Sequence, residues 1–273
     1  MLDDYLDRIG HEGPLTTDLA TLAAIHRAHI TAIPYENLEI QLGRENTLDE
    51  SDIFAKIVER RRGGWCYEMN GLLTRALGEI GFSTRRVSGA VGRDEMGSVV
   101  EGNHLVGLVD LDRTWVVDVG LADGPLEPFP LEARSWREGP LEFRLEQLDS
   151  EWWRFHNHVH GLARTFDFST TPRTLFHFQD MCRFLQTDPS SPFVEFAIAS
   201  RRRPSGFDAL RDTTWFHVED GRLEKQTIDN EAKYGELLEK ILGTDLGDEV
   251  GVLWGRAEAR SAKREASKDV SQD

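Results

Sequence analysis

The chain predicts an α+β protein, and three observations carry that expectation. Apolar residues recur at helical spacing through roughly the first eighty positions, short runs of strand-forming residues punctuated by Gly and Pro follow from about Ser83, and a mixed pattern closes the chain. At 273 residues it can bury a sizeable core, in one large domain or in two to three smaller ones. The expected division is a helical bundle over 1–82, a barrel or sandwich of strands over 83–185, a mixed α/β unit over 186–256 and a disordered tail over 257–273.

Taken in order, Leu2, Tyr5, Leu6 and Ile9 form a short amphipathic set that Gly10 ends. Leu19, Leu22, Ile25 and Ile33 form a longer one, terminated by Pro34. Asp49 or Ser51 is placed to cap a third helix, whose stripe of Ile53, Ile57 and Val58 stops at Gly63-Gly64. A fourth stripe, Leu72, Leu73, Leu77 and Ile80, runs to Gly81. Cys66 therefore falls at or just before a helix N-terminus, where unpaired backbone N–H groups and the macrodipole favour an anion. A thiolate is such an anion, so the position suits a nucleophile. A lone cysteine is also a small buried hydrophobe, however, and the catalytic reading needs a base and an acid elsewhere.

The strand-rich part supplies both. Residues 102–110 read as a strand with His104 near its start, Asp112-Arg113 as a turn, and 114–120 as the returning strand. Such a hairpin brings His104 and Asp118 within a residue or two of being cross-strand neighbours, with the register left open. Asp118 lies between Val117 and Val119 in an apolar run, where a carboxylate must be paired or hydrogen-bonded. Orienting an imidazole satisfies it, and the imidazole can take a proton from a thiol. An Asp capping the hairpin is the plainer alternative. Further strands are expected at 86–91, 141–145, 152–159 and 162–168. The last part reads as a helix near 175–185, a strand at 194–199, a hairpin turning at Asp220-Gly221, and a closing helix over 231–242.

Composition narrows the partners. A formal net charge of −16 argues against nucleic acid or anionic membrane, and any anionic substrate would need local basic residues. No apolar window of about twenty residues exists. The start, Met1-Leu2-Asp3-Asp4, lacks the features of a signal peptide, so a soluble cytoplasmic protein is expected. Two distant cysteines, Cys66 and Cys182, fit a reducing compartment and no disulfide framework. Cys182 falls in an amphipathic helical pattern and is expected to be buried and inert. His156, His158 and His160 alternate and would share a strand face. A polar face is the preferred reading there, and metal binding the alternative. Arg201-Arg202-Arg203 reads as a solvated run or as an anchor for a phosphate-bearing cofactor.

The run Arg61-Arg62-Gly63-Gly64-Trp65-Cys66-Tyr67-Glu68-Met69-Asn70, the pair Asn103-His104 and the segment Val117-Asp118-Val119-Gly120 resemble, in order, the three motifs of the arylamine N-acetyltransferases. Ala32-Ile33-Pro34-Tyr35-Glu36-Asn37-Leu38-Glu39 is similar to that family's segment before the cysteine helix, and Ser190-Ser191-Pro192-Phe193 to its C-terminal segment. The resemblance covers about residues 2–255. It implies a cysteine-protease-like or transglutaminase-like core with a barrel-like second domain and an α/β lid. It also implies a Cys66, His104, Asp118 triad and acetyl-CoA as co-substrate with no metal. Transfer to an arylamine or arylhydrazine would run by a ping-pong route through an acetyl-cysteine, in a monomer or homodimer. CoA contacts are implied at Phe193 and Gly124. Leu121-Ala122-Asp123-Gly124 departs from the aromatic-Gly-Gly type of sequence common after Asp-Val-Gly, which bears on acceptor preference. The same triad order also fits a transglutaminase-like hydrolase or amide synthase with another acyl donor. A non-enzymatic binding protein is disfavoured by the presence of all three chemical residues.

Overall fold

The computed structural model describes residues 1–270. Helices α1 (Leu2–Ile9) and α2 (Leu19–Ala32) open the chain. Asp18 caps α2 by accepting from the Thr21 N–H at 2.8 Å. After α2 come a two-residue strand β1 (Tyr35–Glu36), a single turn α3 (Leu38–Gln41) and α4 (Glu50–Phe54), capped by Asp49. The helix of α4 continues as a π-helical turn over Ala55–Glu59, and α5 (Cys66–Ile80) follows. The apolar faces of α1, α2, α4 and α5 meet in one core that also takes in Val109, Val117 and Val119 of the strand-rich part.

Strands β2 (Ser83–Val91), β3 (His104–Asp110), β4 (Thr114–Val117), β5 (Phe129–Pro130), β6 (Arg134–Glu138), β7 (Leu141–Gln147), β8 (Trp152–His156) and β9 (Thr165–Pro172) form one antiparallel sheet in the order β5-β4-β3-β2-β9-β8-β7-β6. A short helix, α6 (Arg93–Met96), lies between β2 and β3. The sheet curls: Phe129 and Trp136, on its two outermost strands, have ring centroids 4.9 Å apart. Its concave side is filled by Leu141, Phe143, Phe155, Phe166 and Phe168. This is a barrel-like sheet rather than a sandwich.

Helices α7 (Gln179–Thr187) and α8 (Pro192–Glu195) lead into a second sheet of β10 (Ile198–Arg203), β11 (Gly206–Arg211), β12 (Thr214–Glu219) and β13 (Arg222–Thr227). The expected strand at 194–199 is thus corrected. Ser191 caps a helical turn by accepting from Phe193 N–H, Pro192 opens it, and the strand begins only at Ile198. β1 joins this sheet at its edge, with Tyr35 opposite Ser200 and Glu36 opposite Ala199. Helices α9 (Glu231–Leu242) and α10 (Glu249–Val270) complete a core built on Leu210, Tyr234, Leu238 and Leu253. The expected disordered tail is also corrected. Ala257 is buried in that core, Arg260 and Arg264 both pair with Asp212, and Ser261 hydrogen-bonds Thr213. Residues 271–273, the end of that tail, lie outside the described residues. Among the described residues, no helix is long and apolar enough to cross a membrane.

Candidate active site

Cys66 begins α5, and the backbone before it is held from behind. Glu68, on the first turn, reaches back to accept from the Trp65 N–H at 3.1 Å, and Lys56 Nζ grips the same carboxylate at 2.8 and 3.0 Å. Both side chains are almost wholly buried, and Lys56 sits in the π-helical turn. Burial works against each charge, but each has its partner. Gly63 passes so close to β1 that a Cβ there would lie 2.3 Å from the Pro34 carbonyl.

His104 stands at the start of β3 and Asp118 just beyond the end of β4. The register Gly107 opposite Val117, carried on, sets Asp118 opposite Val106, two residues from His104 and on the same face. The two side chains meet: His104 Nε2 lies 2.8 Å from Asp118 Oδ2, with both residues 2 % exposed. Cys66 Sγ lies 3.7 Å from the Asn103 carbonyl, beside the imidazole. Burial disfavours the charged ring, yet the Asp118 carboxylate and then Cys66, both hydrogen-bonding neighbours, hold the His104 pKa up to about 10. With Nε2 committed to Asp118, Nδ1 is the nitrogen left for sulfur.

Several residues with no assigned role complete this constellation. Asn70, one helical turn after Cys66 on the same face, donates to Asp118 Oδ1 at 2.7 Å and to the Leu105 carbonyl at 2.6 Å, and accepts from Val119 N–H at 2.8 Å. Gly120 N–H donates to Asp118 Oδ1 at 2.9 Å. A Cβ on Gly120 would lie 2.8 Å from Cys66 Cα, so only glycine lets this loop lie against the helix start. His26 of α2 accepts from the Asp118 N–H through Nε2 and donates to the Leu126 carbonyl through Nδ1, which requires the neutral ring. Burial accordingly lowers its pKa to about 4. A polar residue between Ile25 and the next apolar turn was the sequence signal for His26. Asn70 was visible as the amide four residues after the cysteine.

These groups open onto a cleft of about 620 Å³, walled largely by apolar side chains and bordered by Tyr35, Cys66, His104, Leu121 and Phe193. Phe193 sits edge-on to Trp65 at 5.2 Å, and its carbonyl is held by Gln41 and Asn37. Gly124, the other residue expected to contact a cofactor, is not on the cleft wall: it is buried, and its carbonyl accepts from Arg202 at 2.9 Å. The unusual Asp123 is buried too. Its carboxylate accepts from the Asn157 side chain and the Leu162 N–H, tying the loop after Asp118 to the turn between β8 and β9, and burial raises its pKa.

The histidine trio does not share a face. β8 ends at His156, which pairs with Glu146 at 2.8 Å, while His158 and His160 bond the carbonyls of Asp123 and Gly221. The arginine run is neither solvated nor an anion anchor. Arg201 bonds the carbonyls of Ile241 and Leu242, Arg202 those of Gly124 and Gly206, and Arg203 pairs with Asp208 and Glu219. The cation that does border the cleft is Arg211, stacked 3.8 Å over the Phe196 ring, with no carboxylate in ion-pair contact among the described residues. Cys182 is buried, and burial pushes its thiol up to about 12.

Comparison with known proteins places this geometry. A family model described as N-acetyltransferase matches residues 18–250. Arylamine N-acetyltransferase 1 of Oryctolagus cuniculus is 31% identical over 274 residues, covering 90% of this chain and 94% of its own. Proansamycin X synthase of Amycolatopsis mediterranei is also 31% identical, over 258 residues, covering 90% of this chain and 98% of its own. The structure of Mycobacterium marinum arylamine N-acetyltransferase in complex with CoA superposes with a TM-score of 0.85 at 28% identity, covering 94% of this chain and 98% of that one.

Proposed function

Since this chain belongs to the arylamine N-acetyltransferase family, we propose that it moves an acetyl group from acetyl-CoA to an arylamine or arylhydrazine through acetylated Cys66. The observation that carries the reading is the contact of His104 Nε2 with Asp118 at 2.8 Å, beside the sulfur, on the wall of one cleft. With the proton held on His104, the Cys66 sulfur attacks the thioester carbonyl. The tetrahedral intermediate collapses, the C–S bond to CoA breaks, and His104 returns the proton to the departing sulfur. The amine then attacks acetyl-Cys66, His104 takes one amine proton, and the new amide leaves with the Cys66 C–S bond broken. Asp118 holds the ring's orientation and stabilises its charged form. Phe193 and Arg211 are the groups we assign to CoA, Arg211 toward its phosphates. The acidic chain and its unbridged cysteines fit a cytoplasmic enzyme.

A second reading is favoured by the likeness to proansamycin X synthase and by the apolar cleft: an amide synthase that uses a longer acyl donor. Mass spectrometry after mixing with acetyl-CoA tests both. One acetyl group on Cys66, absent in Cys66→Ala and discharged by an arylamine, is the expected result. Acylation by long thioesters alone selects the second reading, and no acylation by any thioester rejects both.

A further inference from the structure

We propose that the Tyr35 hydroxyl donates a hydrogen bond to the acyl oxygen of the group carried on Cys66, making Tyr35 a catalytic residue. The inference deepens the acyl-transfer reading and rests on it.

Tyr35 is fixed beside Cys66 by its backbone pairing and by packing against the cluster that holds Trp65 and Cys66. It forms a parallel bridge with Gly64, two residues before Cys66, and the bonds on either side of it, Glu36 N–H to the Gly64 carbonyl at 3.0 Å and Gly64 N–H to the Pro34 carbonyl at 3.2 Å, lock that pairing. On its other edge it pairs with Ser200 of β10. Its side chain borders the cleft together with Cys66 and Gly120.

The hydroxyl is unspent. Tyr5 bonds His29 Nδ1 at 2.9 Å and Tyr67 donates to the Gly102 carbonyl at 2.5 Å, but no group among the described residues hydrogen-bonds the hydroxyl of Tyr35. In a cleft walled largely by apolar side chains, a phenol without a partner favours a ligand that supplies one. Its protonation is secure: burial first, then the charges of Cys66, Asp118 and Asp123, hold it well above the usual tyrosine range, so it is a donor rather than a phenolate.

Both transfer steps build negative charge on the same oxygen. When sulfur attacks the thioester, and again when the amine attacks acetyl-Cys66, the carbonyl electron pair moves onto oxygen and returns as a C–S bond breaks. A donor already in place strengthens its bond as that charge grows and keeps its own proton throughout. The first turn of α5 adds backbone N–H groups at the same end of the cleft.

Full-length Tyr35→Phe removes only the hydroxyl. Acylation of Cys66 is followed by mass for acetyl-CoA and by the nitrophenolate burst for p-nitrophenyl acetate, which needs no CoA site. The expected result is a fall on the order of 10²-fold in the acylation rate with both donors. KM, the melting temperature and the rate of iodoacetamide alkylation should stay at wild-type values. An unchanged rate overturns the proposal, as does a loss confined to acetyl-CoA or an alkylation rate that falls in step. Wild-type enzyme that bursts with the ester but ignores acetyl-CoA would reject the donor assignment while leaving Tyr35 its role. Absence of any burst would reject both.

Discussion

Two buried ion pairs flank Cys66, and they look alike on paper. Lys56–Glu68 lies behind the start of α5 and His104–Asp118 in front of it, each closing at 2.8 Å, each almost wholly buried. Lys56 spends its donors on Glu68 and Asn46, and Glu68 turns its remaining capacity to the Trp65 backbone. His104 keeps one ring nitrogen for the side where Cys66 and the cleft lie. Burial and distance therefore do not separate a clamp from the proton carrier we propose. An unspent atom facing a cavity does.

That contrast can be broken most forcefully at Asp118. Asp118→Asn keeps the shape of the side chain but removes the charge that supports the imidazolium, so Cys66 acylation should fall by about 10²–10⁴-fold. With Asp118 no longer opposing burial, the His104 titration should move down from about 10, read from the pH profile of acylation. A variant with wild-type rate would remove the acid from the mechanism.

The clamp should fail differently. Lys56→Met strands the Glu68 carboxylate and should cost about 3–5 kcal/mol in urea unfolding, whereas the double variant Lys56→Met, Glu68→Gln should recover most of that loss. No second substitution should rescue Asp118→Asn in this way. If the double variant were as unstable as the single one, the pair would contribute more than mutual neutralisation.

At the cleft mouth, Arg211→Gln should raise KM for acetyl-CoA by roughly tenfold, one charge-assisted contact, and leave p-nitrophenyl acetate turnover unchanged. Equal effects on both donors would place Arg211 outside phosphate recognition.

The smallest effect is on stability against pH, where two buried histidines have opposite signs. His104, raised above its ordinary value, contributes stability that is fully present below about 6.5 and fades as pH rises through about 10. His26, held neutral with its pKa lowered to about 4, removes stability as pH falls below about 6.5 toward 4. Thermal melts of wild type and His26→Gln should therefore converge at neutral pH and part in acid. Parallel curves would show that His26 titrates alike in the folded and the unfolded chain.

The meeting of Cys66, His104 and Asp118 was legible because short-range features announce it: a glycine pair before a helix, a histidine opening an apolar strand, a carboxylate in the strand that returns. Lys56 and Glu68 were not, since twelve positions of sequence say nothing of a π-turn that aims one at the other. The triple arginine misled because a run of like charge looks wet, while Arg201 and Arg202 bond backbone carbonyls and Arg203 pairs with Asp208 and Glu219. The stretch after Ala257 misled for the same reason in reverse. Its polar face answers one buried carboxylate, Asp212, that sequence offers no way to locate. β11 was missed because Gly206-Phe207-Asp208-Ala209-Leu210-Arg211 mixes charge with apolar residues and lies buried almost throughout.

A strand of two residues sets the order in which the cleft can form. Tyr35 and Glu36 find their sheet partners only at Ala199 and Ser200, so a ribosome that has long since released Cys66 must still extrude the opposite wall before the cleft exists. During that interval Cys66 is present without the far wall of its cleft.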